Sequence, residues 1–201
     1  MTWQDYYLPL EQDRLCHIFN RGNNKENIFY SQRNYDYFLL KFQQHLNPYL
    51  ELFAYCLLPN HFHCLIRIKE VSSAGRSIQE AFRHFFMGYA KAINKQESRT
   101  GSLFQKNFKR KNIASKEQLI TTLLYIHTNP THHRMMKDFR QYRYSSYQLI
   151  LMGNQDWLKA SEVLEWFNRK EEYILAHERY AGRINKGSNS SSPEDQDIPV
   201  L

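Results

Sequence analysis

The sequence predicts an α+β fold. The expected form is a ferredoxin-like split β-α-β arrangement, an antiparallel sheet with helices on one face, plus additional C-terminal helices. Three observations predict it. Segments of strand period and helix period follow one another in the order β-α-β-β-α-β-α between residues 14 and 129. Two of the strand segments, 50–58 and 61–69, are separated only by Pro59-Asn60, a turn pair that makes them a hairpin. The chain has 201 residues and 42% apolar content, which suits one domain with extensions and a real core.

The elements follow in order. Residues 14–23, "RLCHIFNRGN", run apolar and end in the turn cluster Arg21-Gly22-Asn23-Asn24, so a strand leads into a loop. Residues 32–46 place Tyr35, Phe38, Leu39, Phe42 and Leu46 at helical spacing, and Asn47-Pro48 ends the pattern. The hairpin 50–69 comes next, then a loop over 71–77. Residues 78–95 carry Ile78, Phe82, Phe85, Phe86, Tyr89 and Ile93 on one helical stripe. After a loop at 97–104, residues 107–115 read as a weaker strand. Residues 116–129 read as a helix with Ser115 as N-cap. Pro130 clashes with the carbonyl of Ile126, so this helix is expected to kink or stop there. Residues 161–182 form one or two further helices after a Ser161 cap. The tail 187–201 is Ser-rich and acidic, which predicts disorder or peripheral docking. The expected division is a main domain over 1–155, a helical extension over 156–186 and the tail over 187–201.

The net charge of +7 and a pI near 9.2 point to a phosphate-rich partner or an anionic surface. No run of about 18 apolar residues exists, so no membrane span is expected. The first ten residues have no basic region followed by an apolar one, so they do not read as a secretory signal. Cys16, Cys56 and Cys64 stand singly, which argues against a zinc knuckle or disulfide framework and fits a reduced cytoplasmic setting.

The stretch "LLPNHFHCLI" at 57–66 carries the first chemical signal. On a strand, residues i and i+2 share a face. His61 and His63 then stand side by side, with Phe62, Cys64 and Ile66 on the opposite face. Two neutral imidazoles make two legs of a metal site. Paired histidines also occur as satisfied polar residues at a strand edge, and the motif alone leaves both readings open. A third alternating histidine would fall at position 65, which is Leu65. A zinc deaminase needs HxE with a PCxxC partner, and neither is present. The second signal is "TLLYIHTNP" at 122–130. Tyr125 and Asn129 are four apart, on one helix face. Alone, Tyr125 reads equally as a core aromatic and Asn129 as a cap before Pro130.

Together these stretches resemble the single-tyrosine HUH transposase family, most closely its REP-associated tyrosine transposases, which act on repetitive extragenic palindromes. The flanks "FNRGNNKENIF" (19–29), "RTGSLFQKNFK" (99–109) and "YRYSSY" (142–147) follow the family's order, and the resemblance spans about residues 14–150. It implies His61, His63 and Asn129 as ligands of Mg²⁺ or Mn²⁺ and Tyr125 as the nucleophile. It implies cleavage and strand transfer on hairpin DNA with a single-stranded foot, through a 5′-phosphotyrosine, by a monomer in the cytoplasm at the nucleoid. Basic and aromatic residues would hold the strand. The candidates are Arg21, Asn23, Arg99, Phe104, Lys106, Lys109, Arg110, Lys111 and Arg134. The alternative is a hairpin-binding protein, a repressor or RNA binder, that keeps the fold without the chemistry.

Overall fold

A computed structural model describes residues 9–70 and 77–187. The expected loop at 71–77 and the tail therefore lie almost wholly outside the described residues. Strand β1 (Leu15–Arg21) leads to helix α1 (Gln32–Leu46), then the hairpin β2 (Leu50–Leu58) and β3 (His61–Ile68). Helix α2 (Ile78–Gln96), strand β4 (Lys109–Asn112) and helix α3 (Lys116–His132) follow. The sheet order is β2-β3-β1-β4, and every neighbouring pair is antiparallel. This is the split β-α-β order, as expected from the sequence.

The helix boundaries have local causes. Ser31 and Asn34 open α1, with the Ser31 N–H donating to Asn34 Oδ1 at 3.0 Å. Ser77 and Glu80 form a reciprocal box at the start of α2, each backbone N–H donating to the other's side chain. The Gln118 N–H donates to Ser115 Oγ at 3.2 Å, so Ser115 caps α3.

Strand β3 sits second in the sheet and separates two different surroundings. Phe62 packs against Phe38 of α1 and Phe86 of α2, with ring centroids 5.1 and 6.0 Å apart. Phe38, Phe85 and Tyr89 extend this aromatic core between the two helices. The Tyr89 hydroxyl is satisfied by donating to the Ile28 carbonyl at 2.7 Å. The odd residues of β3 face the other way, toward α3, so helices cover both sides of the sheet and not the one face expected from the sequence.

Three sequence expectations change. The weak strand at 107–115 shrinks to the four residues of β4. Helix α3 does not stop at Pro130 but continues to His132. Side-chain donors satisfy carbonyls in the preceding turn: Asn129 Nδ2 to Tyr125 and the Thr128 hydroxyl to Leu124, at 3.2 and 2.8 Å. The C-terminal helical region opens at Lys159 rather than Ser161, and it divides into α5 (Ala160–Glu165) and α6 (Lys170–Gly187). Asn168, at φ 66°, turns the chain between them. A short α4 (Tyr147–Met152) precedes both and ends at Gly153, which adopts φ 67°.

Residues beyond 155 join the same core. Leu158, Val163, Phe167 and Tyr173 are buried. Arg67 on β3 forms an ion pair with Glu162 at 2.8 Å. A chain of buried polar groups ties α3 to its neighbours. The His177 Nδ1–H donates to the Tyr173 carbonyl, 2.7 Å away. That leaves His177 Nε2 to accept from His127 Nδ1 at 2.8 Å. His127 Nε2 then accepts from the Ser146 hydroxyl at 2.8 Å, and Ser146 Oγ accepts from the Tyr55 N–H of β2 at 2.8 Å.

Gly22 gives the fold prediction. A Cβ there would lie 1.9 Å from the Glu26 carbonyl oxygen. Its N–H donates to the Asn60 carbonyl at 2.7 Å, beside the histidine strand. Gly22→Ala is expected to cost about 1–3 kcal/mol, the usual range for overpacking. The check is a lower denaturant midpoint at unchanged m-value; an unchanged midpoint would show that the loop yields.

Candidate active site

The site is built on the α3 side of the sheet by strand alternation. β1 and β3 pair so that Phe19 lies opposite His63 and Arg21 opposite His61. Directly opposed residues share a face. His17, Phe19 and Arg21 therefore stand with His61 and His63 under α3. Tyr125 meets them edge-on, 5.5 Å from His63 and 6.3 Å from His17, centroid to centroid. The structure thus brings together His61, His63, Tyr125 and Asn129, the four residues singled out for chemistry.

The histidine tautomers follow from their partners. Asn60 Nδ2 donates to the Lys25 carbonyl at 3.2 Å, which fixes the amide's orientation and turns Oδ1 toward His61. His61 Nδ1 lies 2.6 Å from that oxygen, so Nδ1 carries the proton. His61 Nε2 is then a lone-pair donor, and it is buried without a hydrogen-bond partner. Asn129 Oδ1 is buried and unpartnered as well, while its Nδ2 is held by the Tyr125 carbonyl. His63 Nδ1 lies 2.9 Å from His17 Nε2. When His63 donates in that contact its Nε2 lone pair is free, and the His17 proton sits on Nδ1, which is buried without a partner.

Burial keeps these rings neutral. Burial, then Lys111, holds the His17 pKa down to about 3. Burial, then His133 and Arg21, holds His61 at about 3, although Asn129 pulls it slightly upward. His63 lies well below the ordinary histidine value, first through burial and then through His17, His61, His133 and Arg21. Burial and then His133 bring His132 down to about 4. Lone pairs are therefore available at neutral pH.

The donor set fits a divalent ion of open coordination. Two imidazole nitrogens and an amide oxygen, two of them orphaned in a buried place, would supply three legs. Among the described residues no three His, Cys, Asp or Glu side chains converge on a metal position, so a histidine–carboxylate cage is not the alternative. A mixed N/O set that leaves positions for water or phosphate oxygen suits Mn²⁺ or Mg²⁺.

The basic candidates divide between two sides. Lys111 lies opposite His17 and Lys109 opposite Phe19, on the site face. Lys109 Nζ sits 5.8 Å above the Phe19 ring. Arg110 lies opposite Ile18, on the α1–α2 side. Arg21 borders the histidines directly, and Asn23 and Lys106 are exposed on the neighbouring loops. Arg134 is exposed just beyond α3, at φ 53°. Arg99 is ion-paired with Glu26 and donates to Asn94, which ties it to loop structure. Phe104 requires a correction. It is 7% exposed and packs on Phe86 and Tyr89, so it is a core ring and not a stacking surface.

Sequence reasoning missed His17, Asn60, His132 and His133. His133 packs on the His61 ring at 4.7 Å and His132 on the Tyr125 ring at 5.6 Å. Period-two alternation in β1, joined to the split β-α-β strand order, contained the signal for His17. The other two depend on α3 continuing past Pro130.

No protein-family profile matches the chain, and no curated protein does. A solved structure is similar in fold: a REP-associated tyrosine transposase bound to a REP hairpin, with a TM-score of 0.60. Identity is 16%, over 73% of this chain and 84% of that one. No helix among the described residues is long and apolar enough to cross a membrane.

The neutral histidines set a pH dependence for stability. The unfolded chain protonates them near 6.5, whereas the folded site resists until about 3 for His17 and His61. The unfolded state therefore binds more protons below 6.5, and stability present above that value is lost as pH falls toward 3. Denaturant titrations between pH 7 and 5 should show a slope several times the roughly 1.4 kcal/mol per pH unit that one histidine gives. A flat profile would mean that the rings are already hydrated and charged.

Proposed function

We propose that the chain is a single-tyrosine HUH transposase of the REP-associated kind, a metal-dependent nickase and strand transferase on hairpin DNA. The observation that carries the reading is the convergence of Tyr125 with His61, His63 and Asn129 on one sheet face, two of the donor atoms buried and unpartnered. The fold likeness to a hairpin-bound transposase supports it, and so does the basic balance. The proposed layout keeps catalysis in residues 1–155, with 156–186 bracing α3 and the tail beyond, and the protein acting as a monomer.

The Tyr125 hydroxyl oxygen attacks phosphorus at the foot of the hairpin. An O–P bond forms to the tyrosine, the P–O3′ bond breaks, and the 3′-oxygen takes a proton from water to leave as a free 3′-hydroxyl. The tyrosine proton passes to water, since the His132 ring beside Tyr125, held near 4 by burial and then His133, is too weak a base to keep it at neutral pH. The phosphotyrosine keeps the bond energy, so another 3′-hydroxyl reverses the step and joins strands without ATP. His61, His63 and Asn129 would hold the divalent ion, which supplies charge neutralisation on the non-bridging oxygens. Asn60 and His17 keep the two imidazoles oriented. Arg21, Lys109 and Lys111 draw the phosphate backbone across the same face.

Tyr125→Phe keeps the ring and removes the attacking oxygen. With Mn²⁺ and a labelled hairpin library, the parent protein should form a covalent adduct on a denaturing gel, while the variant binds equally and forms none. Binding without an adduct by the parent would favour the non-catalytic hairpin binder. An adduct in the variant would place the nucleophile on another tyrosine.

His61→Ala and His63→Ala should each remove the thermal shift that Mn²⁺ gives the parent protein. An undiminished shift would move the ion elsewhere. Replacing Lys109 and Lys111 by Ala should flatten the salt dependence of single-strand binding by about one unit of slope per lost phosphate contact.

A further inference from the structure

On the other side of the sheet, α2 and the segment leading into β4 enclose an open cavity of about 390 Å³. It lies within the roughly 300–1,000 Å³ range of small-molecule sites. Its floor is aromatic. Phe108 lies 4.6 Å from Phe82 and 5.4 Å from Phe86, centroid to centroid, and both Phe86 and Phe108 remain half-buried. The Arg110 guanidinium stacks 5.2 Å from the Phe108 ring, and Arg83 stands exposed on the wall. Gln79 and Asn107 bring amide groups to the rim. Among the described residues that line it, two are arginines and none is acidic.

We infer that this cavity is a subsite for one unstacked nucleobase of the bound single strand, with Phe108 and Phe86 as its stacking surface and Arg83 and Arg110 at its phosphate. The inference rests on the DNA reading above and adds a position for the strand away from the tyrosine. Apolar rings, cationic walls and amide edges in one pocket match a nucleotide's three chemistries: a flat ring, an anionic phosphate and a polar base edge.

The edge strand β4 supplies the route. Its alternation sends Lys109 and Lys111 to the catalytic face and Arg110 to the cavity face. A single strand crossing β4 meets cations on both sides of the edge. One of its bases then drops into the cavity while the scissile phosphate stays under α3. The occupant accepts stacking from any base, since every base has a flat face. The site therefore anchors the strand without choosing its sequence by itself.

The test compares two decamers with equal phosphate charge, oligothymidine and an all-abasic strand, by fluorescence anisotropy at fixed salt. The parent protein should prefer oligothymidine by at least about fivefold, since one stacked base contributes about 1–3 kcal/mol. Phe108→Leu should cut that preference to threefold or less while affinity for the abasic strand changes little, whereas Arg83→Ala should weaken both strands alike, by about threefold or more. Arg83 is exposed, so its variant keeps the test valid if the Phe108 variant loses stability. Irradiation of a 5-iododeoxyuridine decamer should crosslink to Phe86 or Phe108. Equal affinity of the parent for both decamers, an unchanged preference in the Phe108 variant, unchanged affinity in the Arg83 variant, or a crosslink confined to the α3 side would each overturn the subsite. Loss of base preference in the Phe108 variant with the Tyr125 adduct intact supports the subsite; a base preference without any adduct supports it too but removes the transposase reading.

Discussion

The pleat of β3 is the constraint on which the molecule depends. Successive side chains on a strand point to opposite faces, so one short segment must serve two surroundings. Phe62, Cys64 and Ile66 fill the core beneath α1 and α2, while His61 and His63 face α3. The core side makes β3 rigid. That rigidity is passed to the site side, because His61 and His63 ride on the same backbone. A register slip of one residue would bury the imidazoles in the aromatic core and expose Phe62 to α3. The neighbouring strands then complete the site from both directions. The hairpin turn supplies Asn60 for one ring and β1 supplies His17 for the other.

Charge near the histidines has two consequences at once. Arg21 and Lys111 stand on the same face and oppose protonation of the rings beside them. Neutral rings keep the lone pairs that a divalent ion requires. The same cations give that face a positive potential. A carboxylate in place of either cation would raise the histidine pKa values and weaken that potential together. The arrangement has a cost in acid, where the unfolded chain gains protons that the folded site refuses.

Much of this was legible in the sequence, for reasons that can be named. The bounds of α1 and β2 follow from helical spacing ended by Asn47-Pro48 and from an apolar run ended by Pro59-Asn60. Strand alternation paired His61 with His63, and helical spacing paired Tyr125 with Asn129. What escaped depends on contacts made across the fold. Pro130 is a local stop signal that tertiary packing overrides, since Ile126 through Thr131 are all buried, and His132 and His133 were hidden with it. Phe104 reads as one more aromatic in a basic loop until α2 folds over it. Lys109, Arg110 and Lys111 read as a single cationic run until pairing with β1 assigns them to opposite faces. The turn at Asn168 carries no glycine or proline to announce the break between α5 and α6.

The buried relay behind α3 shows how the two halves of the site are held in register. Its donors run in one direction, from the Tyr55 N–H through Ser146, His127 and His177 to the Tyr173 carbonyl, each proton used once. That ordering requires both histidines to be neutral. Burial holds His177 down to about 3 and His127 well below its ordinary value. A proton added to either would set two donors against each other, or leave a charge with no acceptor in the core. His127 stands two residues from Tyr125 and from Asn129, so the same helix turns carry the relay and both of those side chains. The seat of Tyr125 and the lone pairs of the histidines facing it therefore share one requirement, uncharged imidazole. A rise in acidity acts against both, loosening α3 from its support and taking up the lone pairs on the opposite strand.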